Sequence, residues 1–343
     1  MLSRFPSQRT VPVCALLAVT FAAACADSAP LAPDATEPLA DARPVATAEG
    51  VATGHRHRPP SQATLFAPGV ISDAREQWRI TFSANGKQAF FAASDQFFPF
   101  TRQATIYETH RGHDGTWSTP VIAPFSGTWS DIDPFLSPDG RRLYFSSIRP
   151  VNGAPRADID LWMVERTWDG WGEPVHLGPS VNSPDSDELY PSVSADGTLY
   201  FASGPFFPQP GQHFDIYSAP RRGAGFGARE ALGPAINTAP SAGDAGLQDA
   251  WDFNPEISVD GRTLLFTSLR PGGFGLGDLY VSTRRGQRWS PARNLGPAVN
   301  TAFDEYHPTL SRDRRTLYFV RRMASEGVRG DFYEIATRRL GVR

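Results

Sequence analysis

The sequence predicts an all-β fold, a five-bladed β-propeller with four antiparallel strands in each blade. Three observations lead to this prediction. An acidic residue, a Pro and a Ser-x-Asp-Gly stretch recur in the same order along the chain. Short runs of β-branched and aromatic residues follow each copy, and the 343 residues include 31 Gly and 31 Pro. Short apolar runs between turn residues are typical of strands, and abundant Gly and Pro favour turns over long helices.

The composition is that of a globular protein. It is 40% hydrophobic and 20% charged with a net charge of −3, so a chain of this length can bury a sizeable core. A protein that binds nucleic acid carries a basic patch, and the near-neutral balance argues against that class.

Residues 1–24 are predicted to be a signal peptide. Arg4 and Arg9 precede the apolar run VPVCALLAVTFAAA, which ends in small residues and is too short to span a membrane comfortably. The run stops at Cys25 and so resembles a bacterial lipoprotein signal, which implies cleavage before Cys25 and its lipidation; plain secretion is the alternative. Cys14 would be removed with the signal, so disulfides, thiol catalysis and thiolate zinc sites are excluded from the folded domain.

Residues 25–60 are predicted to form a disordered tether, because they are rich in Ala, Pro and small polar residues and have no apolar period. The stretch HRHR at 55–58 is interpreted as a basic patch rather than a metal site, since no carboxylate or further His lies at ligand spacing. The propeller is predicted over residues 61–343.

The repeat is anchored at five positions, spaced 54, 57, 64 and 53 residues apart. The anchors are Ile80, Pro134, Pro191, Pro255 and Pro308. Each is followed by a hairpin signal (SANG, SPDG, SADG, SVDG and SRDR), and Asp-Gly or Asn-Gly supplies the positive φ that tight two-residue turns need. A second strand such as RLYFSS (142–147), a third such as DLWMVE (160–165) and a fourth segment such as PVHLGPSVNS (174–183) complete each unit.

The fifth unit ends without a fourth segment, and the missing piece stands at the other end of the propeller. LFAPGVIS at 65–72 aligns with HLGPSVNS at 176–183, and each stretch ends eight residues before its anchor. The N-terminal strand, about residues 63–72, is therefore predicted to complete the last blade and to close the ring, which removes its exposed edges.

This repeat resembles that of the TolB-like β-propeller family, in which acidic-x-x-Pro-x-x-Ser-x-Asp-Gly is followed by Leu-Tyr-Phe and Asp-Ile-Tyr. The resemblance covers about residues 63–343. The first unit departs most, with Ile80 in place of Pro, Asn85 in place of Asp and Thr105 in place of the third-strand Asp. The resemblance implies a periplasmic or surface protein that binds or scaffolds, and it names no partner.

Two positions on each first strand form the candidate site. Three residues before the anchors stand Gln77, Asp131, Glu188, Asp252 and Glu305, and one residue before them stand Arg79, Asp133, Tyr190, Asn254 and His307. The first strands of a propeller line its central tunnel, and alternation along a strand puts both sets on the same side. The sequence thus predicts a ligand-binding ring of four carboxylates at one tunnel mouth, with Trp78 beside it.

Three roles are open for these carboxylates. They can be structural, each accepting backbone N–H bonds from the loop that leads into its own blade. They can bind Ca²⁺ or a cationic ligand, because a cation relieves the repulsion of clustered carboxylates. They can hydrolyse a glycosidic bond, which takes two carboxyl groups. Asp131 and Glu188 are then the nearest pair, although catalytic acids usually stand as unique residues rather than as copies of one repeat position.

The loops of the same face are rich in aromatic residues, which suit a peptide or a sugar. They are Trp78, Trp129, Trp251, Phe97, Phe98, Phe100, Phe206, Phe207 and Phe274. The loop before the fourth unit is longer than its equivalents, and its extra segment, about residues 239–250, is predicted to overhang the tunnel mouth. On the opposite face stand Arg111, Arg166, Arg221, Arg222, Arg284 and Arg285, either as a basic surface near anionic lipid or as simply solvated residues.

These features predict an exported, lipid-anchored, monomeric propeller, in the periplasm or at the outer membrane, that binds an envelope protein or glycan without catalysis. Contact with the membrane is expected through the lipid anchor alone. No nucleic acid, cofactor or metal is expected, with Ca²⁺ at the tunnel mouth left open. The alternative is a glycan-active hydrolase that uses carboxylates of the tunnel mouth.

Overall fold

The computed structural model describes residues 62–205, 213–239, 250–323 and 328–342. The predicted signal peptide (1–24), Cys25, the tether (25–60), Phe206, Phe207 and residues 240–249 of the insertion lie outside the described residues. Within the described ranges, no helix is long and apolar enough to cross a membrane.

Five antiparallel sheets form the five blades. Blade 1 consists of β2 (Glu76–Phe82), β3 (Gln88–Ser94), β4 (Thr105–His110) and β5 (Val121–Ile122), and blade 2 of β6 (Asp131–Leu136), β7 (Arg142–Ser147), β8 (Asp160–Glu165) and β9 (Val175–His176). Blade 3 consists of β10 (Asp187–Val193), β11 (Leu199–Gly204), β12 (Asp215–Ala219) and β15 (Glu230–Ala231), with β13 (Arg221–Arg222) and β14 (Gly225–Phe226) as a small hairpin after β12. Blade 4 consists of β16 (Asp252–Ile257), β17 (Thr263–Ser268), β18 (Asp278–Arg285) and β20 (Arg293–Asn294), with β19 (Arg288–Trp289) paired antiparallel to the end of β18 as a hairpin. Blade 5 consists of β21 (Asp304–Leu310), β22 (Thr316–Met323), β23 (Val328–Ala336) and β1 (Thr64–Leu65). The described helical segments are α1 (Phe98–Thr101) and a 3₁₀ turn (Thr337–Arg339).

The blades close into a ring around one axis. Each first strand (β2, β6, β10, β16 and β21) contacts the first strand of the next blade, and β21 contacts β2. The C-terminal ends of all five surround a small cavity of about 50 Å³, so all five run in the same direction. We call the end of the ring where the first strands begin the upper face. The end that carries the Ser-x-Asp-Gly turns is the lower face.

The ring is closed by the N-terminal strand, as predicted. Thr64 lies opposite Glu334 and Leu65 opposite Tyr333, and the Phe66 N–H donates to the Phe332 carbonyl over 2.8 Å. The strand is shorter than the predicted 63–72, because the chain turns at Ala67, whose φ is +45°.

The Ser-x-Asp-Gly stretches form turns that are longer than the two-residue hairpins expected. β6 ends at Leu136 and β7 begins at Arg142; between them the Ser137 hydroxyl donates to Asp139 over 2.6 Å, and the Gly140 N–H donates to the Ser137 carbonyl over 2.8 Å. Of the Asp-Gly pair only Gly140 has a positive φ, +70°. In the degenerate SRDR turn, Arg314 takes that conformation with φ +59°.

Every first strand contains a bulge at or next to the anchor. The register with the second strand shifts at the Pro anchor in blades 2–5 and one residue earlier in blade 1, where Ile80 itself pairs with Phe91. The residues before the four Pro anchors have positive φ: Asp133 (+58°), Tyr190 (+62°), Asn254 (+51°) and His307 (+51°). Because Pro lacks an N–H, a bulge is where a strand tolerates it. The recurring Pro therefore stands where the hydrogen bonds between the first and second strands are interrupted. Blade 1 has Ile80 at the anchor and forms a bulge without Pro.

The recurring Leu-Tyr-Phe and Asp-Ile-Tyr runs build the outer part of each blade. A second-strand Phe stacks on a third-strand Tyr directly opposite in the pairs Phe91–Tyr107, Phe201–Tyr217, Phe266–Tyr280 and Phe319–Tyr333, with ring centroids 5.7–6.1 Å apart. These cross-strand pairs stabilise the sheets, and the Phe rings are fully buried.

Candidate functional site

The four carboxylates predicted at the tunnel mouth lie inside the wall of the ring. None of them is exposed. Each forms an ion pair with an arginine: Asp131–Arg149 (2.6 Å), Glu188–Arg229 (2.7 Å), Asp252–Arg270 (2.6 Å) and Glu305–Arg321 (2.6 Å). The guanidinium groups in turn lie over an aromatic ring of their own blade, for example Arg270 over Tyr280 at 4.8 Å.

Each acid and its arginine also hold the upper-face loop that leads into the blade. Asp131 accepts from the Ser126 hydroxyl over 2.9 Å, and Arg149 donates to the Phe125 carbonyl over 3.2 Å. The other three acids accept from the N–H groups of Ser183, Thr238 and Thr301, and their arginines donate to the carbonyls of Val181, Ile236 and Val299. We call each unit of acid, arginine and loop a carboxylate clamp.

Blade 1 has a related arrangement with different residues. Gln77 stands at the position of the acid and donates to Asp73 over 2.8 Å, and Asp73 pairs with Arg75 over 2.6 Å. The Arg75 guanidinium lies 4.3 Å from the centre of the Tyr107 ring. The blade that departs most from the repeat therefore keeps the acid, the arginine and the aromatic ring.

Burial and pairing act in opposite directions on these acids. Burial raises the pKa of Asp131, Glu188 and Glu305 above their usual values, while the arginines and the loop hydrogen bonds counteract the rise. The hydrogen bonds that these acids accept from the loops are those expected if the carboxylates have a structural role. Asp131 and Glu188, the pair named for glycoside hydrolysis, are each engaged by their own arginine.

The residues one position before the anchors meet on the axis. His307 Nδ1 lies 3.4 Å from Asp133 Oδ1 and 3.2 Å from Asn254 Nδ2, and the His307 and Tyr190 rings are 5.5 Å apart. Blade 5 is not a neighbour of blade 2 or blade 3, so the contacts of His307 with Asp133 and Tyr190 cross the axis. Arg79 of blade 1 likewise crosses it to pair with Glu256 of blade 4. The axis is occupied by side chains at this level.

Burial dominates the electrostatics of this axial group. Within the described residues neither carboxylate oxygen of Asp133 has a hydrogen-bond partner. Desolvation raises the pKa of Asp133 to about 8, although the Arg79 charge opposes the rise. Desolvation and then the Arg79 charge lower the pKa of His307 well below its usual value, and burial raises the pKa of Tyr190 well above its own. Of the set, Tyr190 alone is half-buried rather than buried.

No group of three or more His, Cys, Asp or Glu side chains is arranged to hold a metal ion in the part of the chain that the structure describes. Ca²⁺ at the tunnel mouth therefore stays a prediction.

Trp78 is also buried: its indole N–H donates to Ser94 over 2.8 Å, and its ring packs against Tyr306 and His307.

The aromatic residues that the structure describes in the upper-face loops fall into two groups. Phe98 is buried, Phe97 packs on Trp78, and Trp251 packs on Phe214. Phe100, Trp129 and Phe274 are exposed, as is the neighbouring Leu276. The second group is available to a ligand.

An open cleft of about 730 Å³ lies beside Trp129, between blades 1 and 2 on the upper face. Its polar side chains include Arg75, Asp95, Gln96, Thr101, Arg102, Gln103, Thr105 and Thr128. Most of them stand in the loop after β3, and the loops between second and third strands vary in sequence from blade to blade, so a search for recurring positions misses these residues. The clamp arginines Arg149 and Arg270 recur in a Ser-x-Arg-Pro stretch (147–150 and 268–271), a signal that could have been found.

No protein-family model matches the chain, and no curated protein does. Similar solved structures exist. The α-L-arabinofuranosidase from Lactobacillus brevis is 14% identical, with a TM-score of 0.50 over 79% of this chain and 93% of that one. The putative TolB from Agrobacterium tumefaciens is 18% identical (TM-score 0.44; 72% and 70% covered), and TolB from Acinetobacter baumannii is 14% identical (0.44; 77% and 55%). At these identities the similarity is one of fold.

Proposed function

We propose that the protein is an exported, lipid-anchored β-propeller that binds an envelope glycan, without catalysis, in the upper-face cleft between blades 1 and 2. The observation that carries this proposal is the half-exposed indole of Trp129 beside a polar cleft of about 730 Å³. A sugar ring combines an apolar C–H face with a rim of hydroxyls. An aromatic plane next to convergent polar groups binds such a ligand.

The carboxylate clamps act in this proposal as positioning groups. The Asp131–Arg149 pair holds residues 125 and 126 of the loop that carries Trp129. The Asp131 N–H donates to the Ala104 carbonyl, and the Ser130 hydroxyl accepts from the Ala104 N–H, so the two loops that line the cleft are joined. A ligand platform with a fixed geometry loses less entropy on binding than a mobile one.

We propose that the exposed residues of the upper-face loops contact the ligand directly. Most of the first-strand residues that the sequence predicts to bind the ligand are proposed to have other roles. Asp131, Glu188, Asp252, Glu305 and Trp78 are proposed to position the upper-face loops, and Asp133, Asn254 and His307 to pack the axis. Tyr190 is half-buried, and of the set it is the one residue proposed to contact a ligand.

A protein ligand is the second candidate, and the exposed Phe100, Phe274 and Leu276 on the same face favour it, because interfaces are enriched in aromatic residues. Export rests on the order of basic, apolar and small residues before Cys25, with the periplasm or the outer membrane as the destination. A monomer is proposed, since the ring closes its own sheet edges.

The test compares wild type with two variants, Trp129→Ala and Trp168→Ala. Trp168 is 96% exposed in the outer turn of blade 2 on the lower face and so is a matched control. The immobilised proteins are exposed to fragments of envelope glycan, and bound fragments are identified by mass spectrometry. We expect binding to fall several-fold in Trp129→Ala and to stay at the wild-type level in Trp168→Ala, because an aromatic contact is worth about 0.5–1.5 kcal/mol.

Equal binding by all three proteins would rule out the cleft as the glycan site. Bound protein in place of glycan, lost with Phe100→Ala or Phe274→Ala, would support the second candidate. Accumulation of trimmed glycan over wild type, absent over Asp131→Asn, would favour the hydrolase alternative.

A further inference from the structure

A second cleft lies on the lower face, at the seam where blade 5 meets blade 1, and it has a volume of about 740 Å³. We call it the seam cleft. Its walls come from the ends of β2 and β22, the turns at 83–86 and 311–316, the outer turn of blade 1 and the chain after β23. A cleft of this size accommodates a small organic ligand.

Four aromatic rings in mutual contact form one wall of the seam cleft. Tyr318 packs on Phe66 and Phe82 with centroids 4.9 and 4.6 Å apart, and Trp117 lies 6.2 and 6.1 Å from the same two rings. Phe82 and Trp117 are half-buried, so part of this apolar wall faces solvent.

Four arginines surround the same cleft: Arg111, Arg312, Arg315 and Arg338. Among the described lining residues the one carboxylate is Asp313, and it is engaged within its own turn, where it accepts from the Ser311 hydroxyl and the Arg315 N–H over 2.7 and 3.0 Å. The Arg315 guanidinium lies 3.9 Å from it. The cleft is therefore strongly positive.

The arginine of blade 1 differs from its counterparts in the other blades. In blade 2 the Arg166 guanidinium lies over Trp171 and donates across the seam to Gln88 of blade 1 over 2.9 Å. In blade 4 Arg284 lies over Trp289 and donates across its seam to Tyr200 over 3.3 Å.

Arg111 lies 5.9 Å from the Trp117 ring, and its Nε donates to the Gly115 carbonyl of its own turn over 2.8 Å. Within the described residues its terminal nitrogens make no hydrogen bond across the seam, and neither Arg312 nor Arg338 forms an ion pair with an acid. Arg111 and Arg338 line the seam cleft, whereas Arg312 lines it and also the small axial cavity and a cleft between blades 2 and 3.

The chain joins the propeller beside this cleft. β1 runs antiparallel to β23, whose last residue, Ala336, lines the cleft, and Phe66 directly after β1 forms part of the aromatic wall. Residue 62, where the described chain begins, thus stands on the lower face. A membrane tether joined at residue 62 therefore leaves the propeller on the face that carries the seam cleft.

We propose that the seam cleft binds a phosphate-bearing amphiphile, with the phosphate held by the arginines and the apolar part against the four rings. Guanidinium groups match the oxygens of phosphate in pairs, and several around one cleft suit a multiply charged group. The chemistry is shared by the headgroup of an anionic phospholipid and by a soluble phosphate ester; the position of residue 62 favours the phospholipid. The site is on the opposite face from the glycan cleft and does not depend on it.

The experiment measures co-sedimentation of the full chain, carrying Cys25→Ser so that no acyl chain is attached, with vesicles of equal parts phosphatidylcholine and phosphatidylglycerol. The cleft variant is Arg312→Ala with Arg338→Ala. The control is Arg222→Ala with Arg285→Ala, which removes two exposed arginines from the same face away from the cleft. All proteins are first compared by thermal unfolding to verify that they fold alike.

We expect the cleft variant to lose about tenfold or more in vesicle binding and the control to lose far less, since only the cleft arginines can pair directly with a phosphate group held beside the aromatic wall. Equal losses in the two variants would overturn the proposal in favour of a diffuse basic surface. Retained binding in the cleft variant would overturn it outright.

A soluble pair of probes separates the two sources of phosphate. Dihexanoyl phosphatidylglycerol should raise the unfolding temperature of wild type but not of the cleft variant, and glycerol 3-phosphate should do so much less. If glycerol 3-phosphate is as effective as the lipid, the aromatic wall takes no part and the amphiphile is refuted as the ligand.

Discussion

At the residue scale, two constraints act on the residue before each Pro anchor: its backbone conformation and the position of its side chain on the axis. The bulge holds this residue at positive φ in four blades, and the backbone there directs its side chain to the axis. Asp, Asn and His tolerate positive φ better than other residues with a Cβ atom, and three of the four residues are of these types. Tyr190 is the costlier choice, at about 1–3 kcal/mol of strain. A recurring polar residue at this position is therefore partly a backbone requirement.

Asp133 gives a prediction on pH dependence. Its pKa is about 8 in the folded protein and near 3.8 in an unfolded chain. Between these values the folded state keeps a proton that the unfolded state has released, so the contribution of Asp133 to the free energy of unfolding falls as pH rises from about 4 to about 8. One pKa unit corresponds to about 1.4 kcal/mol. Asp133→Asn removes this titration.

We expect Asp133→Asn to gain stability over wild type as pH rises, with the larger difference near pH 8 and the smaller near pH 5, measured by urea unfolding at both. The groups that face Asp133 are Arg79, Tyr190 and His307, and their titration in the unfolded chain is common to both proteins. If the free energies of unfolding of wild type and Asp133→Asn differ by the same amount at pH 5 and at pH 8, Asp133 is ionised in the folded state.

At the element scale, the clamps join strands to loops. Each acid stands at or next to the start of a first strand, its arginine belongs to the same blade, and both bond the loop that arrives from the previous blade. The sequence located the acids through their spacing. It could have located Arg149 and Arg270, which stand in a recurring stretch, but Arg229 precedes a fourth strand and Arg321 lies within a second strand, so no common spacing leads to them. Which arginine neutralises a buried acid depends on how the side chains pack, and the spacing of residues along the sequence does not predict this.

The clamp in blade 2 can be tested against a surface pair in the same blade. Arg149→Ala leaves Asp131 buried and unpaired, which should lower the free energy of unfolding by about 3–5 kcal/mol. Arg142→Ala removes the exposed pair with Glu165 and should cost no more than about 1 kcal/mol. Urea unfolding of both variants measures the difference. Similar losses would mean that the clamp is no stronger than a surface pair.

At the scale of the whole molecule, the number of blades and the closure of the ring followed from the sequence, while the contents of the axis and the clefts did not. Turn and strand signals repeat in every unit, so a count of units gives the architecture. The clefts arise where units differ: in the loop after β3 on the upper face and at the seam of the ring on the lower face. A repeat describes what the units share, and unique binding surfaces depend on their differences.

Closure itself gives the last prediction. A chain that begins at Ala67 lacks β1 and Phe66, whereas one that begins at Gln62 keeps both. Loss of the buried Phe66 ring should lower the free energy of unfolding by about 3–5 kcal/mol, and the uncovered edge of β23 is open to pairing with another chain. We expect the Ala67 chain to unfold at lower urea concentration and to elute as oligomers in size-exclusion chromatography, and the Gln62 chain to elute as a monomer. If the two chains are equally stable and both monomeric, the ring is held by the contacts between first strands and β1 is dispensable.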